Sequence, residues 1–476
     1  MSAAILAVAA GLALRGWLLR EFFEVSGDSA VYGGLAKNLL LHGRYALSGA
    51  GGEMVPTLMR LPGYPLFLAL CFRVFGMENY ASAAWAQIAL ELLGCLLLAD
   101  FAQRIAPAGW QHGAGLATLW LAALCPFSAI YAAEPLTEAP SLFAISLALW
   151  AVGRFHSQPG WPSALWFTFA AAFAALLRPD GVLVGVALAP AMMAGLRRAA
   201  IPRANMARMA LICVLLGLAP FAWWTWRNWQ VFHVFEPLAP RYANDPGEPA
   251  YPGWQRWVKT WSLDFVSTYE IYWNVPGGPF DVSKLPARAF DTPAERAETA
   301  ALAAQYEDNG RDFTPDMDAR FARLAGERVR AHPLRFYLCL PLGRLADMWL
   351  RPRVENLPID LDWWVYAHHD QETQFSWFYV GLNAFYLLLA VAGLCMRPRL
   401  STPRTKTRPR GPRLWPWMLA YMALRSALLM TLEAPEARYT LECFPMLFVL
   451  GGISLYRFTY VGLGSVLKLK ASLGRG

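Results

Sequence analysis

The sequence predicts an all-α polytopic membrane protein of about ten to twelve transmembrane helices, with juxtamembrane helices and a mixed loop domain on the outer face. Three observations predict it. Hydrophobic residues make up 56% of the 476, mean hydropathy is +0.31, and charged residues are only 16%, where a soluble chain carries about 25%. Apolar runs of about 20 residues recur along the chain, the length that crosses a bilayer as a helix. Basic residues concentrate in a few short loops that carry no acid, as cytoplasmic loops do.

The first apolar run, 3–20, lacks a basic leader and an A-x-A site before Glu21, so it reads as a retained span rather than a cleaved signal. Nine further runs follow, at 80–103, 112–131, 137–155, 163–178, 181–196, 208–226, 375–396, 414–432 and 440–458. Leu61–Gly76 holds Pro62, Pro65 and Arg73, and Leu334–Leu350 holds Pro341, Arg344 and Asp347. Both read as re-entrant or interfacial helices.

Loop charge tests this assignment. Residues 397–413 hold seven Arg or Lys and no acid, and 197–208 hold four Arg and no acid. Ten spans with the N-terminus inside put both loops in the cytoplasm, as the positive-inside rule requires. A separate span at Leu61–Gly76 would put them outside. The formal charge of +8 thus belongs to membrane-flanking loops and gives no reason to expect a nucleic-acid partner. The chain divides into an N-terminal module 1–226 with its first outer loop 21–79, an outer loop domain 227–374, and a C-terminal module 375–476 with the basic loop 397–413.

The outer loops collect the acids. Asp28 follows the first span within Ser26-Gly-Asp-Ser, where N-capping of a short helix over Ala30–Leu41 competes with a chemical role. Glu134 and Glu138 flank Pro135 at the start of the fourth span and would share a helical face if that helix began early. Arg60, Arg178 and Arg438 lie on the same side. Each alone reads as a snorkelling or paired residue, but several together suit a phosphate, which Arg binds bidentately. Arg15, inside the first span, needs a partner or a cavity.

The outer loop opens with five aromatics in Phe221–Trp229, read as an interfacial belt. Thr292-Pro and Thr314-Pro start two helices. Between Pro237 and Pro286 the density of Pro and Gly predicts loops with little regular structure. The loop reads as a lid over a membrane-embedded site, not as an enzyme domain of its own. The seven Cys form no CxxC pair and read as small core residues. His368-His369-Asp370 lacks further ligands at metal-binding spacing. No HExxH, GxSxG, GxGxxG or Walker loop occurs, which argues against zinc proteases, serine hydrolases, dinucleotide enzymes and ATP-driven pumps.

Several blocks occur in a fixed order: Gly27-Asp-Ser-Ala-Val-Tyr-Gly-Gly, Pro56-Thr-Leu-Met-Arg-Leu-Pro-Gly-Tyr-Pro, Glu134–Glu138, Leu177-Arg-Pro-Asp-Gly, Arg227-Asn-Trp-Gln-Val-Phe and Glu436-Ala-Arg-Tyr. In order and placement they resemble the GT-C fold glycosyltransferases, especially the bacterial relatives of protein O-mannosyltransferases and the aminoarabinose transferases. The resemblance implies transfer of a sugar from a polyprenyl-phosphate carrier to a hydroxyl of a lipid, polysaccharide or protein, at the outer face of the inner membrane. It implies that Asp28 acts at the acceptor and that Glu134 or Glu138 supplies a second acid. Arg60, Arg178 and Arg438 are the candidates for the carrier phosphate, with a divalent metal as the other way to place positive charge there. Asp28 is followed by Ser29, where many members pair two acids, so any pair here is made in space. The chemistry implied is a single, inverting displacement with a carboxylate as base; phosphate is already a good leaving group, so no general acid is needed, unlike in glycosidases. The competing readings are a transporter or flippase for a lipid-linked sugar, which would place polar groups at mid-membrane on broken helices, and a non-catalytic scaffold.

Overall fold

The computed structural model describes residues 2–25, 27–49, 51–198, 202–360, 370–396 and 413–473, the last with side chains to residue 459. Ser26, His368, His369 and most of the basic loop 397–413 lie outside the described residues. The chain forms two compact units, one of 1–246, 385–424 and 441–476, the other of 247–384 and 425–440.

Each expected span coincides with a helix. Among the described residues six helices are long and apolar enough to cross a bilayer, or seven if Gln111–Ala123 and Pro126–Ala133, bent by 53°, count as one. Three others expected in the membrane are marginal: Trp161–Leu177 has 17 residues, Trp415–Leu429 has 15, and Glu138–Ser157 is polar at both ends. A count of ten to twelve rests on these.

In the first unit, the first span Ser2–Phe22 carries Arg15 into a fully buried position. Its Nε meets Glu91 Oε2 at 2.6 Å, and Nη1 donates to the carbonyls of Gly11 (3.1 Å) and Ala123 (2.6 Å). Ala123 ends the helix before the bend, where Pro126 prevents the ladder from continuing. Arg15 therefore supplies a donor to a carbonyl that has lost its helical partner inside hydrocarbon, which is how membrane proteins tolerate a broken helix.

The first outer loop is a helix Asp28–His42, a two-stranded antiparallel hairpin pairing Ala46–Ser48 with Met54–Pro56, and a helix Gly63–Phe75. Arg227, on the long helix Arg203–Phe232, clamps both legs of this loop: Nη2 donates to the Tyr45 carbonyl (2.6 Å) and Nη1 to that of Thr57 (2.8 Å). In the expected aromatic belt, Trp223, Trp226 and Trp229 are exposed, while Trp224 is buried beside Tyr45 and donates from Nε1 to the Leu238 carbonyl. Gly63 lets the second loop helix approach the end of Trp161–Leu177; a Cβ there would lie 2.6 Å from the Leu176 backbone.

The second unit has an aromatic core. Thr292 and Thr314 cap Pro293–Asp308 and Pro315–Ala331 as the sequence predicts. The stretch 237–286 differs from expectation. Pro252–Lys259 is a helix, and Trp254, Trp257, Val258 and Trp261 are buried against Phe280, Phe313 and Phe321. That i, i+3, i+4, i+7 spacing is helical, and Asp318 caps it by accepting from the Gly253 and Trp254 amides at 3.1 and 2.9 Å. Flanking prolines and glycines mask the period in the sequence.

Candidate functional site

Asp28 is the first residue of its helix. The N-cap position is Gly27, which has no side chain to cap with. The Asp28 carboxylate faces Arg60, with Oδ1 2.5 Å from Nη2, both side chains about one-third or less exposed (33% and 27%). Arg60 precedes Leu61-Pro-Gly63, and its backbone carbonyl is held by the Tyr45 hydroxyl at 2.9 Å. Its guanidinium stands over the Tyr32 ring at 5.9 Å. Its Nε is buried with no hydrogen-bond partner.

A second cluster forms around Arg178. The Trp161–Leu177 helix ends there, and Pro179–Gly181 makes one tight turn before Val182–Arg198. Gly181 is required by space: a Cβ would lie 2.0 Å from the Ala174 carbonyl oxygen. The turn aims Arg178 inward, where Nη1 meets Glu138 Oε1 at 3.2 Å and Nε meets Glu442 Oε1 at 3.2 Å and Asp180 Oδ1 at 3.4 Å. Glu138 and Glu442 are nearly fully buried, and Tyr421 donates from its hydroxyl to Glu442 Oε2 at 3.4 Å.

Tyr32 is reached by both clusters. Burial pushes its phenol up to about 12, and Arg60, Asp28, Glu138 and Arg178 all act on it electrostatically. Its ring meets Tyr64 edge-on at 5.0 Å. Tyr64 donates to Gln87 Oε1 (3.0 Å), and Gln87 Nε2 donates to the Ala132 carbonyl (3.0 Å) and to that of Glu134. This chain of contacts fixes the turn between the bent helix and Glu138–Ser157.

The structure thus brings Asp28, Arg60, Glu138 and Arg178 around Tyr32. Glu134 sits in extended backbone at the end of Pro126–Ala133, and the next helix begins only at Glu138. The shared helical face expected for the two glutamates does not form. Arg438 belongs to the second unit, where Nε meets Glu436 Oε2 at 2.5 Å and the guanidinium lies over Tyr439. Sequence reasoning missed Glu442, Tyr32 and Gln87. Glu442 left a signal, being an acid inside an apolar run. Among the described residues no group of three or more His, Cys, Asp or Glu could hold a metal ion. Glu138, Asp180 and Glu442 converge, but on the Arg178 guanidinium.

Beside this cluster, helices Trp161–Leu177, Val182–Arg198 and Arg203–Phe232 line an open cavity of about 510 Å³. Its walls are apolar or small, with Ala171, Ala175, Gly185 and Gly217 leaving the space and Thr168 the sole hydroxyl.

Residues 56–224 match the family profile of dolichyl-phosphate-mannose-protein mannosyltransferases. That stretch includes Arg60, Glu134, Glu138 and Arg178, and the match bears out the resemblance read from the sequence. No curated protein matches the chain significantly. Solved structures are similar at low identity, two of them as follows. One is the oligosaccharyltransferase AglB from Archaeoglobus fulgidus in complex with an inhibitory peptide and a dolichol-phosphate, 11% identical over 98% of this chain and 51% of its own, with a TM-score of 0.46. The other is ArnT from Cupriavidus metallidurans bound to undecaprenyl phosphate, 13% identical over 95% of this chain and 77% of its own, with a TM-score of 0.38. The chain spans about half the length of the archaeal enzyme.

Proposed function

We propose that this protein is a membrane glycosyltransferase that moves a sugar from a polyprenyl-phosphate carrier to a hydroxyl acceptor at the outer face of the membrane. The observation that carries the reading is the Asp28–Arg60 pair, a carboxylate and a cation in contact at the end of the first span, together with the family match that begins four residues before Arg60.

The acceptor hydroxyl attacks the anomeric carbon from the face opposite the phosphate. The new C–O bond forms as the C–O bond to phosphate breaks, the electron pair leaves with the phosphate, and the hydroxyl proton passes to Asp28. Inversion follows from a single displacement. The charge that grows on the phosphate needs a fixed cation. Arg178 spends its donors on Glu138, Asp180, Glu442 and Thr137. Arg60 has an unused Nε and is the better phosphate ligand. Binding of the carrier phosphate to Arg60 would draw it from Asp28 and leave the carboxylate to the acceptor. Glu138 and Arg178, within electrostatic reach of Tyr32, would form the floor of the site. The apolar cavity suits an isoprenoid chain: Ala175 and Val182 line it and flank the Arg178–Gly181 turn, so the chain's head would lie beside the charged groups.

The flippase reading keeps one observation in its favour, the bent helix with a buried ion pair at Arg15. Native mass spectrometry of the detergent-purified protein, with Asp28→Asn alongside, separates the two. We expect a polyprenyl phosphate bound to both forms and a sugar-loaded carrier accumulating on Asp28→Asn alone, with the sugar's mass read directly. Equal loading of both forms would favour the flippase. If neither carries polyprenyl lipid while ordinary phospholipids bind, the donor class is wrong.

A further inference from the structure

The second unit contains a helix that leaves a row of large apolar side chains uncovered. After a π-helical turn at Arg335–Cys339, Leu340–Leu350 continues as α-helix. Leu334 is 73% exposed, Tyr337 67%, and Leu338, Leu342 and Leu350 at least half exposed. Cys339 is exposed on the same surface. The side turned into the unit carries Leu340, Arg344 and Met348. Arg344 is fully buried and donates to the carbonyls of Ser262 (2.9 Å), Leu432 (3.0 Å) and Lys259 (2.6 Å). An amphipathic helix on a water-facing surface keeps its outer face polar. Five large apolar side chains left outside, with arginine inside and saturated by backbone carbonyls, is what a helix in hydrocarbon requires.

A second observation fixes the depth. Asn383 Nδ2 donates to the Trp349 carbonyl at 2.6 Å, and Asn383 Oδ1 accepts from Arg353 Nε at 3.3 Å. Asn383 lies within Asp370–Cys395, one of the helices able to cross the membrane. It is 13 residues from that helix's start, about 20 Å along the axis. The end of this helix is therefore tied to a residue well inside a helix able to cross the membrane, which argues for lipid rather than bulk water against that end. Exposed Tyr269 and Trp273 adjoin that end through Phe265, which contacts Trp273 at 5.5 Å and lies under Arg351, the placement favoured by aromatic residues at a membrane interface.

We propose that residues 334–350 are inserted in the bilayer, with Leu334, Tyr337, Leu338, Leu342 and Leu350 against lipid hydrocarbon. The outer unit is then a membrane-embedded body rather than a soluble lid on a tether.

Cys339 provides a native reporter. With the other six cysteines replaced, a spin label at Cys339 in nanodiscs is compared with labels placed by Leu342→Cys and by Arg323→Cys, the last on the water-facing helix Pro315–Ala331. We expect labels at 339 and 342 to be relaxed by oxygen and shielded from a water-soluble nickel chelate, and the label at 323 to show the reverse. Access of nickel to 339 and 342 equal to that at 323 overturns the proposal. So does dipolar broadening between labels on two copies, which would mean that a second chain covers the face. Should the cysteine replacements prevent folding, the unaltered protein in nanodiscs with diazirine-bearing acyl chains gives the same answer: cross-links within 334–342 support insertion, and cross-links confined to the other spans refute it.

Discussion

Two arginines of the first unit are largely removed from water, and their surroundings differ in kind. Arg15 meets one carboxylate and two backbone carbonyls. It is fully buried, and Glu91 is 4% exposed. Arg178 meets three carboxylates from three separate segments and remains 18% exposed. A one-to-one pair in the membrane solves a folding problem, namely the carbonyl freed at a helix break. Several acids crowded on one cation at the membrane surface do not, because like charges close together raise each other's energy. Such crowding is kept where the groups are needed for chemistry. On the function proposed above, ligand set and not burial distinguishes the two.

The sharpest way to break that comparison is Arg15→Met. It strands the Glu91 carboxylate, and loss of one partner of a buried pair costs about 3–5 kcal/mol. We expect loss of most of the monodisperse peak on gel filtration and a large fall in melting temperature, with recovery in Arg15→Met/Glu91→Leu, where no charge is left behind. A single variant that purifies with an unchanged melting temperature would show that the pair does not hold the bend. A smaller effect is expected from Arg178→Lys. An ammonium cannot present the planar fork that reaches Glu138, Asp180 and Glu442 together. Transfer of the sugar identified on Asp28→Asn should fall by about 10- to 100-fold, equivalent to about 1.4–2.8 kcal/mol, while the melting temperature moves by only a few degrees. If Arg178→Lys unfolds the protein as Arg15→Met does, the two sites are alike and the distinction fails.

How much of this was legible in the sequence follows from the range over which each feature acts. Span positions were readable because apolar runs are local. Arg15 announced its need for a partner, since a charge in an apolar run has few ways to survive, and Glu91 was an acid in another such run. The caps at Thr292 and Thr314 are three-residue patterns and came out as expected. The helix at Pro252–Lys259 was masked because proline and glycine around it outweighed a tryptophan period only a few residues long. The site itself was half visible. Asp28 and Arg60 were both named, but their contact spans 32 residues and no local pattern encodes it. Gln87 holds Glu134 by its backbone carbonyl, and Arg178 holds Glu138 by its carboxylate. Nothing within Glu134–Glu138 carries that information.

The smallest expected effect concerns Tyr32, the residue reached by both charge clusters of the site. Burial is the main cause of its raised phenol, with Asp28 and Glu138 adding to it and Arg60 and Arg178 opposing. A phenol at about 12 stays neutral through pH 10, so its proton is not lost in the range where an ordinary tyrosine near 10 would ionise. On the proposed function we expect Tyr32 to stay neutral and to take no part in proton transfer. Tyr32→Phe keeps the ring against Tyr64 and under Arg60 and removes only the hydroxyl. We expect transfer to change by less than about threefold, below the loss of one net hydrogen bond, with the pH profile between 6 and 10 superimposable on that of the unaltered protein. An alkaline limb near pH 10 that disappears in Tyr32→Phe would instead make Tyr32 a proton carrier. It would also show that the two clusters titrate as one site, which would erase the division of labour between the Asp28–Arg60 pair and the groups around Arg178.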